Sequence, residues 1–391
     1  MAKHEVNQPL SDNWVEEINA IVRLDGEALQ ACVDAARSAR GCTPVLEQLL
    51  AWRDRAIYEA ETKPSLEWLP AELEAHSAML TEAMGEQAIM VPALLVLLLM
   101  PLTEKQYLER GIERRILADT MSDLAIWMKR CKLERGRWGL ENLQWLLHHL
   151  NGRLHRIGRL QYIHRPLSRP VIMLRHKLDD CNTVVSGGGV PYRGDGRVDG
   201  TNGLWDPHKC WTSDYAEREG EYIYDTVLHR GLACFAPGGR RSKADWEVRL
   251  QQGDYVLELH IPEGEPLDSA SCVASMREAV QFSEIHYPEL QPVRGFVCSS
   301  WLLDPQLQEL LPAASNIVRF QRLFHLLPIR SDERETYYRV FGTYEIDPAT
   351  APKDSGLRRA IADFAARGGL LQAAAGILPV DELERLSESS E

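Results

Sequence analysis

The sequence has no C-x-x-C pair; its eight cysteines are scattered. That excludes a redox dithiol, and a chain of this size has no need of a disulfide framework, so reduced thiols are expected. It has no G-x-x-x-x-G-K-[ST] and no G-x-G-x-x-G, which excludes the phosphate cradles of nucleotide triphosphatases and dinucleotide-binding folds. No apolar run reaches the roughly 20 residues a bilayer requires. The longest, AIMVPALLVLLLMPL (Ala88–Leu102), is interrupted by proline and reads as a fully buried helix. The opening residues MAKHEVNQPLSDNW lack the apolar core of a signal peptide. Basic charge is also in deficit. A formal net charge of −13 disfavours nucleic acid and anionic membrane as general partners. These absences together predict a cytoplasmic protein.

What is present is room for two or three domains in 391 residues, and an uneven charge. Residues 1–100 carry 7 Lys+Arg against 16 Asp+Glu, whereas residues 129–177 carry 12 against 2. A basic strip on an acidic protein either meets an anionic ligand or partner, or pairs with the acidic N-terminal region.

From Ser11 to about Asn151 the pattern is helical. Ser11 or Asp12 serves as an N-cap, and Trp14, Ile18, Ile21 and Val22 form one apolar stripe. GIERRILADTMSDLAIWMKRCKL repeats the pattern with Ile112, Ile116, Met121, Leu124 and Met128, and GLENLQWLLHHL closes it. At about Arg153 the period changes: RLHRIGRLQYI and RPVIMLR read as strands. The Gly- and Asp-rich insertion 186–203, SGGGVPYRGDGRVDGTNG, reads as a long, mobile loop. EYIYDTVLHRGLACF, ADWEVRL, VRGFVCSSWLL and TYYRVFGTYEI read as strand material, and PQLQELL, SNIVRFQRLFHLL and SGLRRAIADFAARGG as helices. The expected class is α+β: an all-α domain over 1–152, a mixed α/β domain with a central sheet over 153–380, and a frayed tail over 381–391.

The stretch GDYVLELHIPEGEPLDSASCVASMREA (Gly253–Ala279) is a strand running through a Pro/Gly turn into a helix capped by Asp268. Val256, Glu258 and His260 fall on one strand face, so either polar residue is placed to act as a general base, directly or through water. Ser299 or Ser300, at the end of the next core strand, offers a hydroxyl. The plainer alternatives are a solvated face and a satisfied turn serine. Cys298 reads as a buried, inert thiol. His208, Cys210, His176, Cys181, His229 and Cys234 show no metal-ligand spacing, so no metal is expected. His148, His149, His155 and His164 lie in the basic junction and read as surface or interdomain residues.

GIERRILADTMSDLAIWMKRCKLERGRWGLENLQWLLHHLNGRLHRIGRLQY, with GDYVLELHIPEGEPL, SWLLDPQLQELLPAASNIVRF and RVFG, resembles a family of bacterial acyltransferase-domain proteins over roughly residues 105–375. In that family a helical N-terminal domain precedes a C-terminal domain similar to the GCN5-related N-acetyltransferases, called GNAT-like. The resemblance implies an acyl thioester as co-substrate. Pantetheine would pair with an exposed edge of the strand Val256–Ile261, and pyrophosphate would sit near the helix start. Leu259, Ile261, Gly264, Asp268, Ser269 and Asn316 would then be the donor-binding residues, with Glu258, His260 and Ser299 catalytic. The wider superfamily's Q/R-x-x-G-x-G/A phosphate loop is absent, and PEGEPLDSAS stands in its place. The donor is thus acyl-CoA, or a thioester on an acidic carrier protein docked at 129–177.

The expected function is transfer of that acyl group to an amine of a small molecule or peptide, with the insertion as a lid. The alternatives are a non-catalytic thioester- or carrier-binding module and an acyltransferase acting on aminoacyl-tRNA.

Overall fold

The computed structural model describes residues 8–62 and 65–388. They group into two compact units: Met1–Ile157 with Gln161–Ile163, and Gly158–Leu160 with His164–Glu391.

Among the described residues the first unit has nine α-helices: α1 (Asp12–Val22), α2 (Gly26–Arg40), α3 (Thr43–Thr62), α4 (Leu69–Ala75), α5 (Ser77–Met84), α6 (Val91–Glu109), α7 (Arg114–Met121), α8 (Asp123–Arg135) and α9 (Leu143–Leu150). Ser11 caps α1 by accepting from the Trp14 N–H, and Val15, Ile18, Ile21 and Val22 face inward. Segment Ser77–Glu109 is the one described stretch long and apolar enough to cross a membrane. Its apolar part is α6, buried without a break from Ala93 to Met100 against α1, α2, α3, α7 and α9. Two of the junction histidines are interior rather than surface residues. The His149 ring lies 3.0 Å from the Asp123 carboxylate, which also accepts from Trp145 Nε1, and His155 pairs with the Tyr107 hydroxyl. These bonds satisfy polar groups that burial would otherwise penalise.

Strand β1 (Leu154–Ile157) belongs to the first unit, and β2 (Leu160–Pro166) is divided between the two. The second unit continues with β3 (Val171–His176), β4 (Asn182–Ser186), β5 (Pro191–Tyr192), β6 (Trp211–Thr212), β7 (Tyr215–Arg218), β8 (Glu221–His229), β9 (Leu232–Ser242), β10 (Trp246–Gln251) and β11 (Tyr255–His260). There follow α10 (Ser269–His286), β12 (Gly295–Ser300), α11 (Leu307–Leu310), α12 (Asn316–Gln321), β13 (His325–Pro328), α13 (Glu333–Phe341), α14 (Gly356–Ala366), β14 (Ala374–Pro379) and α15 (Val380–Glu388). One sheet runs β2-β11-β12-β14-β13. It is mixed, because β11 and β12 are parallel while β14 is antiparallel to both its neighbours. The other runs β10-β3-β4-β8-β7, with β9 also on β8. The two share a core: Val256, Val297, Leu327 and Ile377 from the first pack with Met173, Val184, Leu228 and Leu250 from the second.

Three expectations are corrected here. TYYRVFGTYEI is not a strand; its first part lies in α13, where Asp332 caps the start by accepting from the Arg334 N–H and Gly342 at φ +77° ends it. Cap and stop outweigh the β propensity of Tyr and Val. The insertion 186–203 is not all loop: it carries β5 and is tied at several points. Buried Arg193 donates to the carbonyls of Thr201 and Leu204, and Asn202 donates to Leu371 O while accepting from the Glu333 N–H. The tail does not fray at 381: residues up to 388 form α15, and 389–391 lie outside the described residues. Arg249 on β10, almost wholly buried, holds α15 through Asp381 (2.6 Å) and Glu382 (2.8 Å).

That pairing is asymmetric, since Arg249 is buried while Asp381 remains partly exposed. Replacing Asp381 and Glu382 together by Asn and Gln strands a buried cation and should cost about 3–5 kcal/mol in urea unfolding. Arg249→Met, which leaves carboxylates that water can reach, should cost clearly less.

A second prediction concerns Asp304, which is buried after β12 and accepts from the N–H groups of Gln306 and Gln372. Burial lifts its pKa from 3.8 to about 6, against the pull of those N–H groups. Its contribution favours the folded state fully below the unfolded value and is lost as pH rises through about 6, a swing of roughly 2–3 kcal/mol. Asp304→Asn should therefore look increasingly favourable relative to the parent as unfolding is repeated from low to neutral pH. A constant difference would contradict this.

Candidate active site

The site follows from the alternation of two parallel strands. Val256 stands opposite Gly295, and the register runs on to Leu259 opposite Cys298. Side chains alternate along each strand, so Val256, Glu258 and His260 share one face, as do Val297 and Ser299. Val256 and Val297 fill the core between the sheets. One step further along each strand the apolar filling stops, and Glu258, His260 and Ser299 take over. Leu257, Leu259, Phe296 and Cys298 occupy the opposite face and are buried.

Pairing of β11 with β12 ends at Leu259 and Cys298, whereas β12 stays paired with β14 through Ser299–Ala375 and Ser300–Ala374. The strand ends His260–Ile261 and Ser299–Ser300, unpaired with each other, bound a notch in the ladder. This corrects the expected exposed edge along Val256–Ile261. β11 is an interior strand, flanked by β2 and β12, and only its last residues have backbone unpaired with β12.

Two arginines complete the polar end. Arg165 Nη1 lies 2.6 Å from Glu258 Oε2, and His260 Nε2 lies 3.4 Å from Glu258 Oε1. Arg169 Nη2 donates to Ser299 Oγ at 2.7 Å. Burial pushes the Glu258 carboxyl above its ordinary value, with Arg165 and Arg169 pulling the other way. Burial pulls Arg169 below its ordinary value, opposed by Glu258. Neither arginine was singled out in the sequence; Arg165 and Arg169 bracket the PLS turn after β2, and strand order alone brings them here. Ser300 is a turn serine, accepting from the Leu302 N–H. Cys298 is buried and its thiol pushed far up by that burial, which makes it a poor nucleophile.

The strand–helix turn is held by a residue the sequence gave little reason to notice. Arg159 is buried and donates to the carbonyls of Pro262, Glu265 and Pro266. Gly264 bends this loop at φ +106°, a conformation glycine adopts freely. Asp268 caps α10, its carboxylate accepting from the Ser271 N–H at 2.9 Å. Ser269 follows at the first turn, with its Oγ buried and without a hydrogen-bond partner among the described residues. Leu259 is core, Ile261 is half-buried past the strand end, and Asn316 is exposed on the first turn of α12 behind its cap Ser315.

Among the described residues, the one group of three metal-type side chains is His176, Asp179 and Cys181 on the β3–β4 turn, with ligand atoms within 4.8 Å of one another. Asp179 there already bonds the His176 ring and the Cys181 N–H. Much of the basic strip is spent in ion pairs: Arg130 with Glu134, Arg135 with Glu141, Arg137 with Glu86 and Arg153 with Glu67.

No curated protein matches the chain. Solved structures do. A crystal structure of an acyltransferase mutant in complex with octanoyl-CoA has 18% identity and a TM-score of 0.51, covering 93% of this chain and 99% of that one. A crystal structure of an acyltransferase in complex with CoA and 10C-teicoplanin has 19% identity and a TM-score of 0.51, covering 94% and 99%. At these identities the likeness establishes the fold. Residues 15–152 match the family described as the N-acyltransferase N-terminal domain, and residues 154–378 match the GNAT-like C-terminal domain. The chain thus belongs to the N-acyltransferase family that joins these two domains.

Proposed function

We propose that this protein transfers an acyl group from an acyl-CoA to an amine on a small molecule or glycopeptide. The observation that carries this reading is the notch where β11 parts from β12, lined by Glu258, His260 and Ser299. The end of β11, past its last pairing with β12, is where an extended pantetheine arm would lie, as in strand addition. The octanoyl-CoA and teicoplanin in the similar structures suggest the donor and acceptor classes.

The chemistry is direct transfer. The acceptor nitrogen attacks the thioester carbonyl and gives up a proton; the C–S bond breaks and its electron pair leaves on sulfur. His260 takes the proton. Glu258 is committed to Arg165 through one oxygen and faces His260 with the other, which suits it to orienting the imidazole and steadying its charge rather than acting as the base itself. Ser299 donates a hydrogen bond to the departing sulfur, and solvent supplies the thiol proton.

A second reading has its own support. Asp268 already occupies the Ser271 N–H at the start of α10, and Glu263 and Glu265 lie in the same loop. An acidic loop is a poor host for pyrophosphate, which favours a thioester carried on a protein.

Thermal shift with octanoyl-CoA, free CoA, octanoyl-pantetheine and an octanoyl carrier protein separates these readings. A ligand at a hundred times its Kd adds about 2.7 kcal/mol of apparent stability. Stabilisation by octanoyl-CoA is expected; silence to every CoA species with a response to the carrier alone would reverse the donor assignment. In turnover, His260→Gln should lower kcat by about 10²–10⁴. Glu258→Gln should lose less and move the acid limb of the pH–rate profile to lower pH, because a carboxylate no longer stabilises the protonated base. An unmoved limb would remove Glu258 from that role.

A further inference from the structure

Arg169 is a half-buried guanidinium with no carboxylate within ion-pair distance among the described residues; its hydrogen bond there runs to Ser299 Oγ, 2.7 Å away. The neighbouring Arg165, by contrast, is paired to Glu258. An arginine withdrawn from water while Glu258 acts on it only from beyond ion-pair distance is costly, and that cost is compensated when negative charge arrives beside it. The direction of the bond is informative as well. A serine hydroxyl has one proton and two lone pairs. Since Arg169 can only donate, Ser299 Oγ must accept, and its own proton is left to point elsewhere. Ser299 is exposed at the end of β12 where β11 has parted from it, so the open direction is the notch.

The geometry points to Arg169 as the positioning residue of the leaving-group site: its hydrogen bond to Ser299 turns the serine proton toward the thioester sulfur and makes that proton a stronger donor as the thiolate forms. The inference rests on the acyl-transfer reading of the notch and adds a residue to it. No proton is transferred between Arg169 and Ser299. The C–S electron pair settles on sulfur, Ser299 O–H bonds to it, and the positive charge on Arg169 lies one hydrogen bond behind. Chained hydrogen bonds of this kind reinforce one another. Burial, which pulls the Arg169 pKa down, strengthens its electrostatic reach into the notch.

The test uses the full chain, free CoA and octanoyl-CoA as probes, and the variants Arg169→Met, Arg169→Gln, Ser299→Ala and the Met/Ala double. The first readout is the thiolate fraction of bound CoA near neutral pH, followed by ultraviolet absorbance. It should fall in Arg169→Met and Ser299→Ala, fall no further in the double, and be partly restored by Arg169→Gln, whose amide N–H can donate to the serine but which lacks the charge. The second readout is thiol release from octanoyl-CoA. Arg169→Met should lower kcat by about tenfold to a hundredfold with KM little changed, and should have almost no effect once Ser299 is already alanine. CoA bound with an unchanged thiolate fraction in Arg169→Met, or losses that multiply in the double variant, would overturn the role of Arg169 while leaving the donor site standing. CoA bound by none of the forms would overturn the donor site and this inference together. If Arg169→Met does not fold, the comparison of Arg169→Gln with Ser299→Ala decides: Gln must fall between the parent and the serine variant, and a Gln variant with the full parental thiolate fraction or one as low as Ser299→Ala would overturn the role of Arg169.

Discussion

The parallel pairing of β11 with β12, and the place where it stops, is the constraint on which the second unit depends. A parallel pair in the middle of a sheet is buried on both faces, and here each face is used differently. Leu257, Leu259, Phe296 and Cys298 are committed to one side, and Val256 and Val297 to the core between the sheets. Because the register is fixed by that apolar filling, a slip of one residue would exchange the two faces and bury Glu258 beside Phe296 and Cys298. The same packing that selects the register therefore aligns Glu258, His260 and Ser299. Opening costs little backbone hydrogen bonding, because β12 keeps β14 as its other partner through Ser300.

Charge is distributed around this frame with a consistent logic. Where a buried cation is structural, its carboxylates come with it: Arg249 has Asp381 and Glu382, and α15 is held by them. Where carbonyls suffice, a guanidinium spans several, as Arg159 does across the loop before α10. Arg169 follows neither pattern. Its hydrogen bond among the described residues runs to a neutral hydroxyl, at the polar end shared by β11 and β12. Exceptions of this kind concentrate at functional sites, because a ligand supplies the missing charge.

Much of this was legible in the sequence, and the misses have physical causes. Ser11, Asp268 and Ser315 announce their helices because an N-cap is a local signal, and the alternation of YVLELH is enough to put Glu258 and His260 on one face. β14 was invisible. All six of its residues are buried, so AAGILP shows no alternation, and Gly376 is there because Phe324 packs where a Cβ would be. The insertion misled for the opposite reason: its glycines and aspartates signal turns, and nothing local reveals that Arg193 and Asn202 tie it to carbonyls and N–H groups elsewhere. Arg165 and Arg169 belong to the same class. Their importance comes from a strand neighbour about ninety to a hundred and thirty residues away, and only the sheet order supplies that.

The acidic turn before α10 bears on how a donor would be held. A helix start offers unpaired N–H groups and a partial positive charge, and a phosphate gains from both. Here Asp268 takes that place with a carboxylate of its own, and the loop leading to it carries Glu263 and Glu265. Any dianion arriving there would have to displace an intramolecular cap worth about 1 kcal/mol and approach two further negative charges. On the proposed reading, selection of a thioester would depend less on its phosphates than on what enters the notch: the extended arm against the end of β11, and the sulfur beside Ser299. A site built in this way would read the reacting end of its donor, beside the hydrogen bond from Arg169 to Ser299.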